Sequence, residues 1–278
     1  MEAIEVSGLR KTYRDRDAVA GIDLVVARGE VFALLGPNGA GKTTTVEILE
    51  GHRRRSGGDV RVLGEDPGKA GSAWRTRIGI VLQDAEDAAD LTVHEMVRHI
   101  AGFYPDSRRP DEVIDLVGLT AKRNSKIRTL SGGQRRRVDV ALGIVGRPEL
   151  LFLDEPTTGF DPEARRQFWD LIRTLAGDGT TILLTTHYLD EAEALADRLA
   201  VIADGRIVAE GTPTTLGGRA AAHAVVKWRE NGVTHTEQHA DPAPLLRRLL
   251  EDGVDLTSLT IARPTLEDTY LSLIGAAR

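Results

Sequence analysis

The part of the sequence best suited to hold a polyphosphate is a glycine-rich segment with one lysine and two threonines. It follows the uninterrupted apolar run Val31–Leu35, which predicts a buried parallel strand. The segment reads G-x-x-x-x-G-K-T, a spacing in which Lys42 reaches the β- and γ-phosphates and the Thr43 hydroxyl ligates their Mg²⁺. A helix predicted from near Lys42 adds free N–H groups and a positive dipole end. The predicted phosphate contacts are Gly36, Pro37, Asn38, Gly39, Ala40, Gly41, Lys42, Thr43 and Thr44.

Polar side chains with catalytic potential end three other apolar runs. Asp154 and Glu155 follow one run, His187 follows a second and Gln83 ends a third. Because the carboxyl ends of parallel strands face the ligand crevice, Asp154 is predicted to bind Mg²⁺ through water and Glu155 to polarise an attacking water. His187 is predicted to hydrogen-bond the γ-phosphate, with a structural histidine as the alternative. Gln83 is predicted to offer its carbonyl oxygen to the metal or to hold a water, with a plain surface glutamine as the alternative.

A second pair of glycines precedes a predicted helix further along the chain. Ser131, Gly132, Gly133 and Gln134 come directly before a helix predicted from about Arg135 to Val145. The Ser131 hydroxyl and the free N–H groups of the helix start predict a second anion site. The three arginines that follow raise the alternative of nucleic-acid binding. Because successive helix positions point in different directions, we expect these arginines to pair with local acids instead.

Two more residues have informative positions. Tyr13 lies in the polar segment RKTYRDRD, where a core aromatic would be out of place. Stacking on a nucleotide base and packing as a half-exposed tyrosine remain equally open there. Asp161 precedes Pro162, and the pair predicts the N-cap and first position of a helix.

The order of the patterns predicts an α/β fold of the P-loop NTPase type with a mixed central sheet. Alternation from Ala3 to Leu35 predicts an N-terminal antiparallel β-subdomain, and helical spacing over about 84–146 predicts a helical insertion. Together these form a predicted nucleotide-binding domain of residues 1–216. Residues 217–278 are predicted to be a small α+β domain that regulates or dimerises the protein, because no catalytic constellation occurs there.

Composition limits the possible partners. The 36 basic and 42 acidic residues give a net charge of −6, so no overall attraction to nucleic acid or anionic lipid is expected. The absence of cysteine excludes disulfides, thiolate metal sites and a cysteine nucleophile, and it fits a reducing cytoplasm. The first residues lack an apolar signal core, and no apolar run approaches the roughly 18 residues that span a bilayer.

Taken in order, these motifs resemble the nucleotide-binding subunit of an ATP-binding-cassette (ABC) transporter. GPNGAGKTT resembles the first phosphate motif of that family, LSGGQ its signature and LLFLDEP its second phosphate motif. Gln83 then matches the Q-loop, Asp161 the D-loop and His187 the switch histidine, while Tyr13 matches the adenine-stacking aromatic. Phe160 stands where leucine is commoner. The tail, with RPTLED from 263 to 268, is similar to the ending of the daunorubicin-resistance type of drug-exporter ATPase.

The resemblance implies ATP hydrolysis with Mg²⁺ in a head-to-tail dimer, either a homodimer or a pair with a paralogous ATPase. Ser131, Gly132, Gly133 and Gln134 of one subunit would cover the ATP of the other. A separate membrane permease would hold the dimer at the cytoplasmic face of the membrane, with no nucleic-acid partner. The alternatives are a soluble ABC-type ATPase that acts on a ribosome or nucleic-acid assembly, and an ATP-binding regulator without turnover.

Overall fold

The computed structural model describes residues 2–14, 16–81, 90–230 and 232–276. Gln83 and the first residues of the predicted helical insertion lie outside these ranges. The chain divides into two compact units, Met1–Val208 and Ala209–Arg278. This division comes eight residues before the boundary proposed from the sequence, which lies between residues 216 and 217.

The regular elements carry the following labels. In chain order the strands are β1 (Glu2–Tyr13), β2 (Arg16–Ala27), β3 (Val31–Leu35), β4 (Gly57–Val62), β5 (Ile78–Val81), β6 (Leu150–Asp154), β7 (Thr181–Thr186), β8 (Arg198–Ala203), β9 (Arg206–Gly211), β10 (Ala224–Glu230), β11 (Val233–His239) and β12 (Thr260–Ala262). The α-helices are α1 (Lys42–Leu49), α2 (Ser72–Arg75), α3 (Val93–Ala101), α4 (Pro110–Leu116), α5 (Gly132–Ile144), α6 (Pro162–Gly177), α7 (Leu189–Leu195), α8 (Ala243–Glu251) and α9 (Leu266–Ala276).

A six-stranded sheet forms the centre of the fold, in the order β5-β6-β7-β3-β8-β9. β3 pairs in parallel with β7 and β8, and β6 pairs in parallel with β5 and β7. Every residue of β3 is buried, as predicted for a strand covered on both faces. Since β7 lies between β3 and β6, the carboxyl ends of these three strands meet at one edge of the sheet.

A separate antiparallel sheet has the order β2-β1-β4. Its period-two pattern buries alternate apolar residues, so one face joins the core. Helix α1 contacts β2 and β4 of this sheet and also β6 of the central sheet. Ile4 and Leu24 therefore belong to the same apolar cluster as Phe32, Ile48 and Phe152. The helix that follows the glycine-rich loop is thus fixed by packing on both sheets.

Helices α3, α4 and α5 form the described part of the helical insertion, and no strand occurs in residues 90–149. The Thr92 hydroxyl accepts from the Glu95 N–H, and the Glu95 carboxylate accepts from the Thr92 N–H, so a capping box begins α3. The predicted start of α5 is three residues too late, because the helix begins at Gly132. A second capping box, between Ser131 and Gln134, satisfies the N–H groups of these two residues at the earlier start.

The second unit is a small α+β domain, as predicted. Its sheet has the order β11-β10-β12. Val226 and Trp228 of β10 pack against Leu245 and Leu249 of α8 to form its core. A 3-10 turn at Leu256–Ser258 precedes the short strand β12. None of the described helices is long and apolar enough to cross a bilayer.

Candidate nucleotide-binding site

The glycine-rich loop connects β3 to α1 in a shape that its two outer glycines make possible. A Cβ atom on Gly36 would lie 2.4 Å from the carbonyl oxygen of Ile202. A Cβ atom on Gly41 would lie 2.4 Å from the carbonyl oxygen of Ala18, and Gly41 has a φ of 108°. Both positions therefore require glycine, and the backbone approaches its neighbours closely before any ligand is considered.

A cleft of about 390 Å³ opens at the edge where β3 and β6 end. It brings Lys42 of the loop together with the paired carboxylates of Asp154 and Glu155. Asp154 lies 112 residues after Lys42 in the sequence. Gly36 and Ala40 do not line it, and Ala40 is buried. The lining residues are Ala18, Pro37, Asn38, Gly39, Gly41, Lys42, Thr43, Thr44, Asp154 and Glu155.

Lys42 lies in this cleft with only 5% of its surface exposed. Its Nζ donates a hydrogen bond to the Gly36 carbonyl oxygen at 2.7 Å and lies 3.8 Å from Oε1 of Glu155. Burial lowers the pKa of the Lys42 ammonium, while the nearby carboxylates of Glu155 and Asp154 act in the opposite direction. The ammonium is therefore positioned to receive a phosphate group in place of the loop carbonyl.

Glu155 sits between the lysine and the histidine predicted for catalysis. Its Oε2 lies 3.3 Å from Nδ1 of His187, and its Oε1 faces Lys42. Its backbone has a φ of 44°, in the left-handed region that favours glycine. The Glu155 N–H donates to the Thr185 carbonyl oxygen at 3.1 Å, which ties the turn to β7. Lys42, which follows β3, and His187, which follows β7, thus converge on the carboxylate that follows β6.

The residues that line the cleft suit Mg²⁺ accompanied by phosphates. Asp154 offers a carboxylate, and Thr43 is an exposed residue with a hydroxyl in the same cleft. Asp154 Oδ1 also accepts a hydrogen bond from the Thr185 hydroxyl, which orients it. In the described ranges, no group of three or more His, Cys, Asp or Glu side chains could hold a metal. Mg²⁺ typically binds through one or two carboxylates plus substrate phosphates and water, so this donor set fits.

A second cleft, of about 550 Å³, contains the Ser131–Gln134 segment. In the part of the chain that the structure describes, it shares no lining residue with the first cleft. Asp161 belongs to it and also caps α6, because its Oδ1 accepts from the N–H groups of Glu163 at 2.9 Å and Ala164 at 2.8 Å. Its other lining residues include Gly118, Lys122, Arg137, Gly159, Phe160 and Gln167.

The capping box determines which N–H groups at the start of α5 are left without an acceptor inside the helix. The Gln134 N–H donates to Ser131 Oγ at 3.3 Å, and the Ser131 N–H donates to Gln134 Oε1 at 3.1 Å. The N–H groups of Gly132 and Gly133 lie in the first turn, which has no acceptors within the helix. A Cβ on Gly132 would meet no described atom within 4 Å, and one on Gly133 would make only ordinary contacts, the nearest at 3.8 Å.

Comparison with known proteins identifies the family to which this chain belongs. The ABC transporter family model matches residues 19–158. Daunorubicin resistance ATP-binding protein DrrA3 of Streptomyces coeruleorubidus is 39% identical, over 99% of this chain and 97% of its own length. The chain belongs to the ABC transporter family. As a member of it, the protein binds and hydrolyses ATP.

Other relatives of this ABC protein extend the comparison. A Nod factor export ATP-binding protein I of Ralstonia nicotianae is 40% identical, over 89% of this chain and 75% of its own length. The solved structure of cbiO1 from Clostridium perfringens has a TM-score of 0.70 and 28% identity, and it covers 77% of this chain and 89% of that chain. A dimeric ATP-binding cassette bound to ADP and Pi shares the fold, with a TM-score of 0.68 and 24% identity over 75% and 98% of the two chains.

Tyr13 lies at the end of β1 and outside the lining of the first cleft. Its side chain is 40% exposed. Lys11 Nζ lies 4.9 Å from the ring centroid, and Arg53 Nη1 donates a hydrogen bond to the Tyr13 hydroxyl. Two cations thus hold a partly exposed ring, an arrangement compatible with base stacking and with plain packing alike. Base stacking by Tyr13 stays a prediction.

Two residues that contact this site, Thr185 and Arg136, are not predicted from the sequence. Thr185 touches both Asp154 and the Glu155 backbone, but it reads as one polar residue in an apolar strand. Arg136 is 8% exposed and contacts the turn that contains Glu155. The run of three arginines could not show which one is buried, although the 3.6-residue period of α5 places Arg136 on the face of Val140 and Gly143, which are also buried.

Proposed function

We propose that this chain is the ATPase subunit of an ABC exporter, dimerising head-to-tail around two ATP molecules to drive a separate permease. The main observation in support of the dimer is that the two clefts are separate. The loop and carboxylates occupy one cleft and the Ser131–Gln134 segment the other. Two helix N-termini able to bind anions thus face different spaces, which favours composite sites built from two chains.

Within one site we assign roles from the distances around Glu155. Lys42 binds the β- and γ-phosphates, and Thr43 with Asp154 holds Mg²⁺, which neutralises phosphate charge. Glu155 polarises the attacking water, and His187, 3.3 Å from its carboxylate, holds the γ-phosphate and that water. Gln83 is proposed to join the site to the permease side, and Tyr13 to stack on the adenine.

In the proposed dimer, Ser131, Gly133 and the D-loop residue Asp161 of one subunit face the ATP bound by the other. Closure then depends on ATP, because the γ-phosphate supplies contacts that both subunits share. Hydrolysis removes those contacts and reopens the dimer, which moves a two-state membrane partner. The second subunit is another copy of this chain or a paralogous ATPase.

The exporter assignment rests on the relatives. Their names describe daunorubicin resistance and Nod factor export, and the first of them matches this chain almost from end to end. We place the protein at the inner face of the cell membrane, bound through its permease. Action on nucleic acid is disfavoured by the net charge of −6. Within the run of arginines, Arg136 is buried and Arg137 donates to Gln167, so two of the three side chains are engaged within the protein.

Co-expression with a candidate permease tests this proposal. A protein with about six apolar spans, encoded in a neighbouring reading frame, is the partner to choose. We expect a stable complex after detergent extraction and an ATPase rate that depends on the permease. Permeases from unrelated operons serve as controls. Failure to bind any such partner, together with salt-sensitive binding to RNA or ribosomes, would overturn the exporter in favour of the soluble alternative.

For the second unit we propose a role in regulation or dimerisation. Its helix α9 buries Leu266 but leaves Leu271 59% exposed, and α8 leaves Leu250 63% exposed. Exposed leucines on two helices of a small domain favour an interaction surface. Every proposed catalytic residue lies before this unit.

Truncation after Gly217 retains β9 in the central sheet and removes the small domain. We expect unchanged ATP affinity with weaker dimer formation, weaker transport, or both, because the phosphate cleft is built entirely from earlier residues. Isothermal titration and gel filtration with ATP measure the two properties. Full-length rates of dimerisation and transport in the truncated protein would refute the proposed role.

A further inference from the structure

A buried arginine of α5, the helix that begins in the Ser131–Gln134 segment, contacts the turn that contains Glu155. Arg136 lies in the second turn of α5 and is 8% exposed. Its Nη2 donates to the carbonyl oxygen of Asp154 at 2.7 Å, and its Nε donates to the carbonyl oxygen of Pro156 at 3.1 Å. These two carbonyls stand on either side of Glu155. One guanidinium therefore spans the residue proposed to polarise water.

Glu155 needs such support because of its backbone. A φ of 44° is disfavoured for any residue with a Cβ, and it persists only where the surroundings hold it. On one side β7 supplies the restraint, since the Glu155 N–H donates to the carbonyl oxygen of Thr185 at 3.1 Å. On the other side the fixed points are the two carbonyls bound by Arg136. Without the two Arg136 bonds, the backbone on either side of Glu155 loses both of these fixed points.

The chemistry of arginine suits this task. Its planar fork presents several N–H donors at fixed angles and stays charged at any ordinary pH, whereas lysine offers donors from one atom only. Asp139, one turn later on α5, lies 3.9 Å from Arg136 and orients the guanidinium from the helix side. The buried charge is thus paired with a carboxylate while its fork reaches two carbonyl oxygens.

We infer that Arg136 is a positioning residue that fixes the Glu155 backbone from α5. This inference rests on the proposed function, in which Glu155 polarises the attacking water. It gives the Ser131–Gln134 segment a short physical connection to the catalytic carboxylate of its own chain. The segment caps the N-terminus of α5, and Arg136 follows Gln134 by two residues. A shift of that helix end on contact with a second subunit moves the carbonyls that hold Glu155.

Substitutions at Arg136 test the inference in the full-length protein. We expect Arg136→Gln to lower kcat by about tenfold or more while the Kd for ATP stays within about threefold, because misplacing a catalytic group slows chemistry more than binding. Arg136→Lys should fall between this variant and the parent, since one ammonium cannot hold both carbonyls. Arg135→Gln is the matched control. It removes the same charge from an exposed neighbour, and we expect the parental kcat.

Two results would overturn the inference. One is a parental kcat in Arg136→Lys, which would show that charge alone suffices. The other is an equal loss of kcat and ATP affinity in all folded Arg136 variants, which indicates general disruption. Thermal melting identifies variants that fail to fold, and the lysine variant keeps the test decisive if the glutamine variant does so.

Combination with Glu155→Gln separates this inference from the proposed function itself. In single-turnover assays, the Arg136→Gln substitution should cause little further loss in the Glu155→Gln background, because its effect acts through that carboxylate. A full additional loss would mean that Arg136 acts elsewhere, and the inference fails. Near-parental hydrolysis by Glu155→Gln alone would instead remove the assigned role of Glu155.

Discussion

Replacing Glu155 with glutamine is expected to slow ATP hydrolysis by about two decades or more while ATP binding persists. The amide keeps the shape of the side chain but cannot polarise water as a carboxylate does. The substitution also removes a negative charge 3.8 Å from the Lys42 ammonium. The repulsion between the side chain at position 155 and a bound phosphate therefore does not increase. Hydrolysis should become the blocked step, and the ATP-loaded dimer should accumulate.

Gel filtration with and without ATP measures this trapped dimer directly. Glu112→Gln is a suitable control, because Glu112 is exposed on α4, far along the chain from the loop, and pairs with Arg108 at 3.7 Å. We expect the control to hydrolyse ATP at the parental rate and to show no trapping. An ATP-insensitive monomer with near-normal hydrolysis in Glu155→Gln would contradict both the catalytic role and the closure of the dimer by ATP.

Replacing Lys42 with alanine should remove both nucleotide affinity and turnover. The buried Nζ binds the Gly36 carbonyl at 2.7 Å and is the cation of the loop closest to where the phosphates are expected. A charge-assisted bond to phosphate is lost, and Asp154 and Glu155 are left without their lysine neighbour. We expect the Kd for ATP to rise by about tenfold or more, with hydrolysis falling at least as far.

Fluorescence or calorimetric titration with ATP gives the affinity of this variant. Lys69→Ala is the matched control, since the Lys69 side chain is 85% exposed and its ion pair with Asp66 is long, at 3.9 Å. An alanine variant at position 42 that binds ATP as tightly as the parent would exclude the loop as the phosphate site. Loss of affinity without loss of turnover at saturating ATP would restrict Lys42 to binding.

The sequence predicts the central part of this site well because its signals are local and topological. The spacing in Gly36–Thr43 defines a loop and a helix start, and polar residues after apolar runs define strand ends that parallel pairing must bring together. The meeting of Lys42, Glu155 and His187 follows from those two rules. The parallel pairing of β3 with β7 then fixes which strand ends are neighbours.

Other features depend on packing that a single sequence does not encode locally. Nothing near Glu155 in the sequence announces a left-handed backbone, since glutamate is not a residue type that favours it. The partners of Arg136 lie 18 and 20 residues further along the chain, beyond the range of helix-spacing rules. The early start of α5 was missed because glycines argue against helix, whereas the Ser131–Gln134 capping box favours it.

The open space beside Gly132 affects which substitutions the fold accepts at this position. Glycine in a helix sacrifices up to about 1 kcal/mol of stability relative to alanine, and here no described neighbour within 4 Å would obstruct a methyl group. The fold by itself would thus accept the larger residue and gain from it. Folding stability and the proposed contact of bare backbone with ATP oppose each other at this position. A search for thermostable variants would therefore select against the role proposed for the helix end.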